Sequence, residues 1–391
     1  MSAGKVGAKR KLLFVVTEDW YFVSHRLALA IAAIEAGYDV SIATRINSHG
    51  DIIRDAGIGI YPWNVSRGST GLWAECKAFH DLLKIYLKVR PDLVHHVALK
   101  PVLYGGLAAK LIGPRHSVNA LGGMGSIFND GSVRRRRLRS FIATGLKWIL
   151  SGKDNVLILQ NRDDRELMIN EAGVDAKIIR LIRGVGVDVH QFSFSSETTQ
   201  TPLVVLPARM LWDKGVAEYV EAAKLLRSQG LDARFALVGG TDECNPSGIS
   251  LAQLQEWAKD GIVEWHGQQE NMAAVFQSAH IVCLPSYREG LPKALLEAAA
   301  CGRAIVTTDV PGCREVVQHG ENGLLVPARD YVALASALKI LILDPALRAS
   351  MGRKGHELAS TRFSQDSAIK STLAIYDEID GKSRIRPHSG P

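Results

Sequence analysis

The sequence predicts an α/β protein built from two doubly wound, Rossmann-like domains that face each other across a cleft. Two observations lead there. Short apolar runs alternate with longer helical patterns along all 391 residues, which is how parallel strands joined by crossover helices and covered on both faces read in sequence. The chain is also too long for one ordinary core, so two domains of roughly 200 residues are the natural division. Ligands of such sheets sit in the crevice beyond the carboxyl ends of the strands, and the cleft is the expected active site.

The first strand is residues 12–16, apolar throughout and ending at Thr17-Glu18-Asp19. Five apolar residues are too few for a signal peptide. Residues 18–26 then form an expected loop facing the cleft. Leu27, Leu29, Ala30, Ile31, Ala33 and Ile34 line a helix that stops at Gly37, and 40–43 is the next strand. Residues 93–94, 117–119 and 156–159 are further strands. The second half repeats the pattern with strands at 203–206, 234–238, 262–265, 281–284, 304–307 and 324–326. Between the halves, 184–202 contains Gly184-Val185-Gly186 and a polar tract, 193–201, with neither periodicity. The expected domains are therefore 1–190 and 191–380, followed by a polar, basic tail, 381–391, that reads as disordered.

Composition excludes several classes. A chain 47% hydrophobic and 22% charged is ordinary globular material. Its net charge of +7 is compatible with acidic substrates, nucleic acid or an anionic membrane and does not choose among them. The five cysteines, Cys76, Cys244, Cys283, Cys301 and Cys313, form no CxxC pair. They read as reduced thiols rather than a disulfide framework or zinc site. No stretch has the length of a spanning helix. A cytoplasmic protein, at most peripheral on the inner face of the membrane, is expected.

Three signals carry chemistry. Arg209 and Lys214 follow the strand 203–206, where a bidentate guanidinium and a compact ammonium can clamp a diphosphate. Gly239 and Gly240 follow the strand 234–238 and let backbone N–H groups approach a phosphate or ribose. The stretch Ser286-Tyr287-Arg288-Glu289-Gly290-Leu291-Pro292-Lys293 opens a helix that carries Glu297. Pro292 suits its first helical position, and the free N–H groups there form an anion site. Glu289 and Glu297 are eight residues apart, roughly 12 Å along a helix. That exceeds the about 5–9.5 Å between the carboxylates of a glycosidase, and it suits a ligand with two hydroxylated ends joined by a diphosphate.

Arg209 with Lys214, and Glu289 with Glu297, resemble the donor signature of the family 4 retaining glycosyltransferases, whose fold is GT-B. The resemblance extends to Gly267, to 309–316 and to 320–326, and covers nearly the whole chain. It implies that Arg209 and Lys214 bind the diphosphate, Glu297 the ribose and Glu289 the donor sugar, with Gly239, Gly240, Gly290 and Leu291 in the same site. It also implies no metal and no other cofactor, because the cations and the helix N-terminus stabilise the leaving nucleoside diphosphate. Asp163-Asp164, the one pair that resembles a metal motif, reads as a helix start after Gln160-Asn161-Arg162.

The first half is similar to the branch of that family that builds bacterial polysaccharides and lipid-linked oligosaccharides. The residues that carry this are 18–26, 95–106 and 119–128; no GxGxxG occurs at the first strand, against a dinucleotide oxidoreductase. Many members carry a histidine after the strand that ends near Asn119, where this chain has Ala120-Leu121-Gly122-Gly123. No protein base is assigned; His25, His95, Lys100 and Asn119 are the candidates for the acceptor side. From Arg134 to Leu150, a basic run precedes an apolar helical face, Leu138, Phe141, Ile142, Gly145, Leu146 and Ile149. It is either a helix docked on the sheet or a surface for anionic lipid. Without interleaved aromatics or a recognition motif, it does not read as a nucleic-acid site. The expected reaction moves a hexose or N-acetylhexosamine from a UDP-sugar to a polyprenyl-diphosphate-linked sugar in bacterial surface polysaccharide or oligosaccharide assembly. A soluble acceptor, or a nucleotide-sugar epimerase on the same fold, are the alternatives; the Glu289 and Glu297 pattern argues against the epimerase.

Overall fold

The computed structural model describes residues 9–65, 71–114, 116–123, 133–152, 154–242 and 245–384, without the side chains of 72, 133–141 and 380–384. Cys244, the stretch 124–128, the side chains of Arg134 to Arg139 and the tail after Arg384 lie outside the described residues. The chain forms two compact units, Met1–Val185 with Ile369–Pro391, and Gly186–Ala368.

The first unit holds seven strands: β1 (Arg10–Glu18), β2 (Tyr38–Arg45), β3 (Gly59–Pro62), β4 (Leu93–Val97), β5 (His116–Leu121), β6 (Asn155–Leu159) and β7 (Ile179–Leu181), in the order β3-β2-β1-β4-β5-β6-β7. The second holds β8 (Leu203–Pro207), β9 (Arg234–Val238), β10 (Glu264–Trp265), β11 (Ile281–Leu284), β12 (Ala304–Thr308) and β13 (Gly323–Val326), in the order β10-β9-β8-β11-β12-β13. The strand pairings are parallel. In both sheets the chain runs outward from a central strand and then returns to that strand's other side, so direction reverses between β1 and β4 and between β8 and β11. Those two reversals are where α/β sheets open a crevice at the strands' carboxyl ends.

Four differences from the sequence expectation have physical causes. Residues 18–26 are not a loop: a helix, Asp19–His25, leaves β1 directly. Phe22 is buried on Phe14, and Tyr21 stacks on His25 one turn later, with centroids 4.1 Å apart. The unpredicted β3 and β7 are short edge strands with one hydrogen-bonding neighbour each. β10 is confined to Glu264–Trp265 rather than 262–265. The unit boundary lies inside 184–202, but the second unit ends at Ala368 and not at 380. The last helix, Gln365–Arg384, belongs with the first unit from Ile369 on, because Tyr376 is buried there against Tyr38 and His95. That helix also runs four residues past Asp380, into the expected tail.

The tract 193–201 has no regular element yet is held in place. Buried Arg303 donates to the carbonyl and hydroxyl of Ser195, and Arg348 pairs with Glu197 at 3.0 Å.

The first core also buries two neighbouring histidines, His95 and His96, on β4. His96 Nδ1 bonds Asn119 Oδ1 at 2.7 Å, and its Nε2 meets the Tyr86 hydroxyl at 2.6 Å. The carboxamide oxygen only accepts, so Nδ1 carries the proton and Tyr86 donates to Nε2. Burial pushes the His96 imidazole down to about 4, against a weaker opposing effect of the Asn119 bond. Burial, with the charge of Arg26, depresses His95 well below the usual histidine range. The folded chain therefore binds fewer protons than the unfolded chain between pH 6.5 and about 4. Stability is full above that window and falls as pH drops through it, by roughly 1.4 kcal/mol per pH unit for each histidine. Denaturant unfolding of wild type and His96→Gln at pH 6, 5 and 4.5 checks this: the wild-type slope is expected to exceed the variant's by about one proton.

Candidate active site

The reversal between β8 and β11 gathers the chemistry predicted for the second half. β8 ends at Pro207, and Arg209 follows; a single 3-10 turn, Trp212–Lys214, then carries Lys214. Gly215 closes that turn at φ +71°, and a Cβ there would overlap the carbonyl oxygen of Pro285 just beyond β11. Glycine is required for this close approach. The result is that Lys214 Nζ lies 2.6 Å from Glu289 Oε1, across 75 residues of sequence. Ser286 Oγ donates to the same oxygen at 2.7 Å. Both charged side chains are largely buried, at 20% and 12% exposure, so the pair sits in a medium where charge acts more strongly than at an open surface.

The loop that carries Glu289 is fixed at several points. Tyr287 N–H donates to Asp213 O at 2.9 Å, and its hydroxyl donates to Glu218 Oε1 at 2.6 Å. The Arg329 guanidinium covers the Tyr287 ring, 4.6 Å from its centroid. Gly312 N–H donates to Glu289 O at 3.2 Å, and a Cβ on Gly312 would overlap Gly290 O. Leu291 packs on the core below. Cys313 lies beneath the loop; burial and the Glu289 charge push its thiol up to about 12, so it is not a nucleophile at neutral pH.

The helix after the loop is Lys293–Ala300, with Pro292 as its extended N-cap residue, one position earlier than expected. Leu295 N–H and Leu296 N–H are both bonded to Pro292 O, at 3.1 and 3.4 Å, which closes the helix's first turn. Glu297 is buried on this helix and pairs with Lys293 Nζ at 3.2 Å. Burial raises its carboxyl above the usual range and the Lys293 charge opposes that rise. Arg209 is more exposed and bonds Asp242 at 2.5 Å. Gly239 does not offer its N–H to a ligand; that group donates to Gly267 O at 2.8 Å. Its role is clearance, since a Cβ would overlap Ala208 O. Gly240 accepts from Met210 N–H at 3.0 Å.

The four acceptor-side candidates each have their own partners. His25 stacks on Tyr21 at the end of the first helix. His95 is inside the core with its Nδ1 2.5 Å from Tyr376 Oη. Asn119 is buried, spending its oxygen on His96 and its amide on Val156 O. Lys100 is tied to Glu75 at 2.8 Å. Asp163 and Asp164 lie in the first turn of the helix Arg162–Asn170, capped by Asn161, as the sequence reads. Among the described residues no three His, Cys, Asp or Glu side chains converge as a metal site.

Comparison with known proteins gives the family. Residues 201–344 match the profile of the "Glycosyl transferases group 1", and 11–159 match "Glycosyl transferase 4-like". A Campylobacter jejuni protein, named N,N'-diacetylbacillosaminyl-diphospho-undecaprenol alpha-1,3-N-acetylgalactosaminyltransferase, is 30% identical over 340 residues, 84% of this chain and 88% of its own. The chain belongs to the group 1 glycosyltransferases. Its fold is GT-B. Sucrose-phosphate synthase from Thermosynechococcus elongatus superposes with a TM-score of 0.79 at 19% identity, covering 96% of this chain and all of that one. Anabaena HepE, solved with UDP and glucose, gives 0.76 at 17% identity over 94% and 99%.

In this glycosyltransferase the sequence reading missed Asp242, Glu218 and Arg329, whose roles depend on what they touch. Ser286 and Tyr287 stood within the motif, but nothing in the spacing told which of its residues bond Glu289 and which anchor the loop.

Proposed function

We propose that the chain transfers a hexose or N-acetylhexosamine from a UDP-sugar to a polyprenyl-diphosphate-linked sugar, with retention and without a divalent metal, in bacterial surface polysaccharide or oligosaccharide assembly. The observation that carries this reading is the Lys214–Glu289–Ser286 cluster at the β8/β11 reversal, beside Arg209 and the helix of Glu297. The name of the Campylobacter relative supports a diphospho-undecaprenol-linked acceptor, and the UDP and glucose bound to Anabaena HepE support the donor.

The acceptor hydroxyl oxygen bonds the anomeric carbon on the face from which the diphosphate departs. The anomeric carbon–oxygen bond breaks, and the hydroxyl proton passes to the departing phosphate oxygen. Arg209, Lys214 and the positive N-terminal end of the helix Lys293–Ala300 stabilise the charge that develops on that diphosphate. Glu289, held by Ser286, orients the sugar hydroxyls, and Glu297 accepts from the ribose hydroxyls.

No helix among the described residues is long and apolar enough to cross a membrane. A lipid-linked acceptor therefore calls for a surface contact, and the helices Leu99–Ile112 and Val133–Leu150 expose Leu111, Ile112 and Trp148 beside Lys110. We place that contact there, on the inner face of the cytoplasmic membrane.

The test is a screen of UDP-sugars with lipid-linked acceptors in EDTA, with the product's anomeric configuration determined and the chain fractionated at low salt. An α-linked product from an α-linked donor, formed in EDTA by a membrane-associated chain, is expected. Activity restored only by a divalent cation, an inverted product, or complete recovery in the soluble fraction would each remove the corresponding part of the proposal.

A further inference from the structure

Three arginines are buried among the described residues: Arg26, Arg303 and Arg348. Two are fully engaged. Arg303 donates to the carbonyls of Cys301, Ala279 and Ser195, and Arg348 to those of Leu341 and Ile342 and to the Glu197 carboxylate. Arg26 is different. It is 8% exposed, its Nε is buried with no hydrogen-bond partner, and no carboxylate pairs with it among the described residues. The ionisable groups that face it are the phenols of Tyr21 and Tyr376 and the imidazole of His95. His95 Nε2 is likewise buried and without a partner.

The nearby acids are turned elsewhere. Asp19 accepts from the backbone of Trp20, Asn47 and His49 and from the Asn47 amide, and Glu18 accepts from Asn47 as well. An arginine cannot shed its proton to relieve burial, and an uncompensated buried charge costs several kcal/mol. The fold therefore maintains a cation with no counter-charge of its own, and it does so at one place. Arg26 follows the helix Asp19–His25 that leaves β1, at the β1/β4 reversal, where such sheets open toward ligands.

We infer that Arg26 is the counter-charge for a phosphate or diphosphate group bound by the first unit, and that this group is the acceptor's diphosphate. The second half of that statement rests on the function proposed above; the first half does not. Guanidinium geometry matches phosphate oxygens in a bidentate fashion, and His95 Nε2 is a second nitrogen in the same cluster.

The probe is inorganic pyrophosphate, added to the full chain in saturating UDP so that the phosphate ligands of the second unit are occupied. Pyrophosphate is expected to raise the Tm of the wild type. Arg26→Met is expected to lose that response, and to melt above the wild type in its absence, because an apolar side chain replaces an unpaired charge. Arg26→Lys keeps the charge without the fork and is expected to respond about tenfold more weakly. No response in the wild type, or a folded Arg26→Met that binds pyrophosphate within twofold of wild type, overturns the inference. If Arg26→Met does not fold, an unchanged response in Arg26→Lys overturns it.

A second arm identifies the source. Acceptor sugars carried on a lipid diphosphate and on a neutral alkyl chain are compared by KM in wild type and Arg26→Lys. A preference for diphosphate that shrinks in the variant supports the acceptor headgroup. An equal preference in both, with the pyrophosphate response weakened, overturns the acceptor assignment and leaves a soluble phosphate anion as the ligand. Failure to detect transfer with any donor counts against the proposed function alone, since the pyrophosphate arm needs no turnover.

Discussion

A Lys214→Ala chain is expected to lose about 10²- to 10³-fold in kcat for sugar transfer while remaining folded at the assay temperature. The size follows from where the ammonium sits. Lys214 is carried on a 3-10 turn pinned by Gly215 against Pro285, and it reaches Glu289 at 2.6 Å. Its charge is therefore positioned before the reaction begins, and the leaving diphosphate gains from it without paying for reorganisation. A purely structural Lys–Glu pair behaves differently: removing one partner of a largely buried pair lowers stability by leaving the other charge uncompensated, and it leaves turnover intact. Steady-state kinetics of Lys214→Ala, with Tm as the control for folding, separates the two. Turnover within threefold of wild type rules out the role given to Lys214.

Gly239→Ala is expected to cost on the order of 3 kcal/mol and to weaken donor binding as well. Gly239 has φ +151°, and a Cβ there would overlap Ala208 O. Neither backbone can yield easily. Ala208 N–H donates to Val238 O and Met210 N–H to Gly240 O, each at 3.0 Å, while Trp265 Nε1 donates to Gly239 O at 3.0 Å. The segment that must move carries Arg209. Gly240→Ala is the control: its Cβ would meet only the Gln268 side chain, at 3.3 Å or more, and a cost below about 1 kcal/mol is expected. Denaturant unfolding of both variants decides it, and equal costs at the two positions would refute the steric account.

The sheets were legible because strands buried on both faces read as unbroken apolar runs. Residues 234–238 and 281–284 match β9 and β11 at both ends. Edge strands β3 and β7 were not legible, since a strand with one neighbour needs no such run. The helix Asp19–His25 escaped notice because seven residues are too few to display a period, and its stability comes from aromatic contacts. In the second unit, the family resemblance put Lys214 and Glu289 in one site with separate roles, but their ion pair, the hydroxyl of Ser286 and the anchoring of Tyr287 by Glu218 required three dimensions. The first unit shows the limit most clearly. His95 and Asn119 stand in motif-like stretches yet are buried in the core, while Arg26 looks like any helix-flanking cation until its missing partner is seen.

The claim that the β8/β11 reversal binds the donor's diphosphate is tested most directly by calorimetric titration of UDP, in EDTA, into wild type, Arg209→Ala and Lys214→Ala. Expected is binding by the wild type without metal and a loss of about tenfold or more in each variant, the worth of a charge-assisted contact to phosphate. UDP affinity equal in all three chains would contradict it.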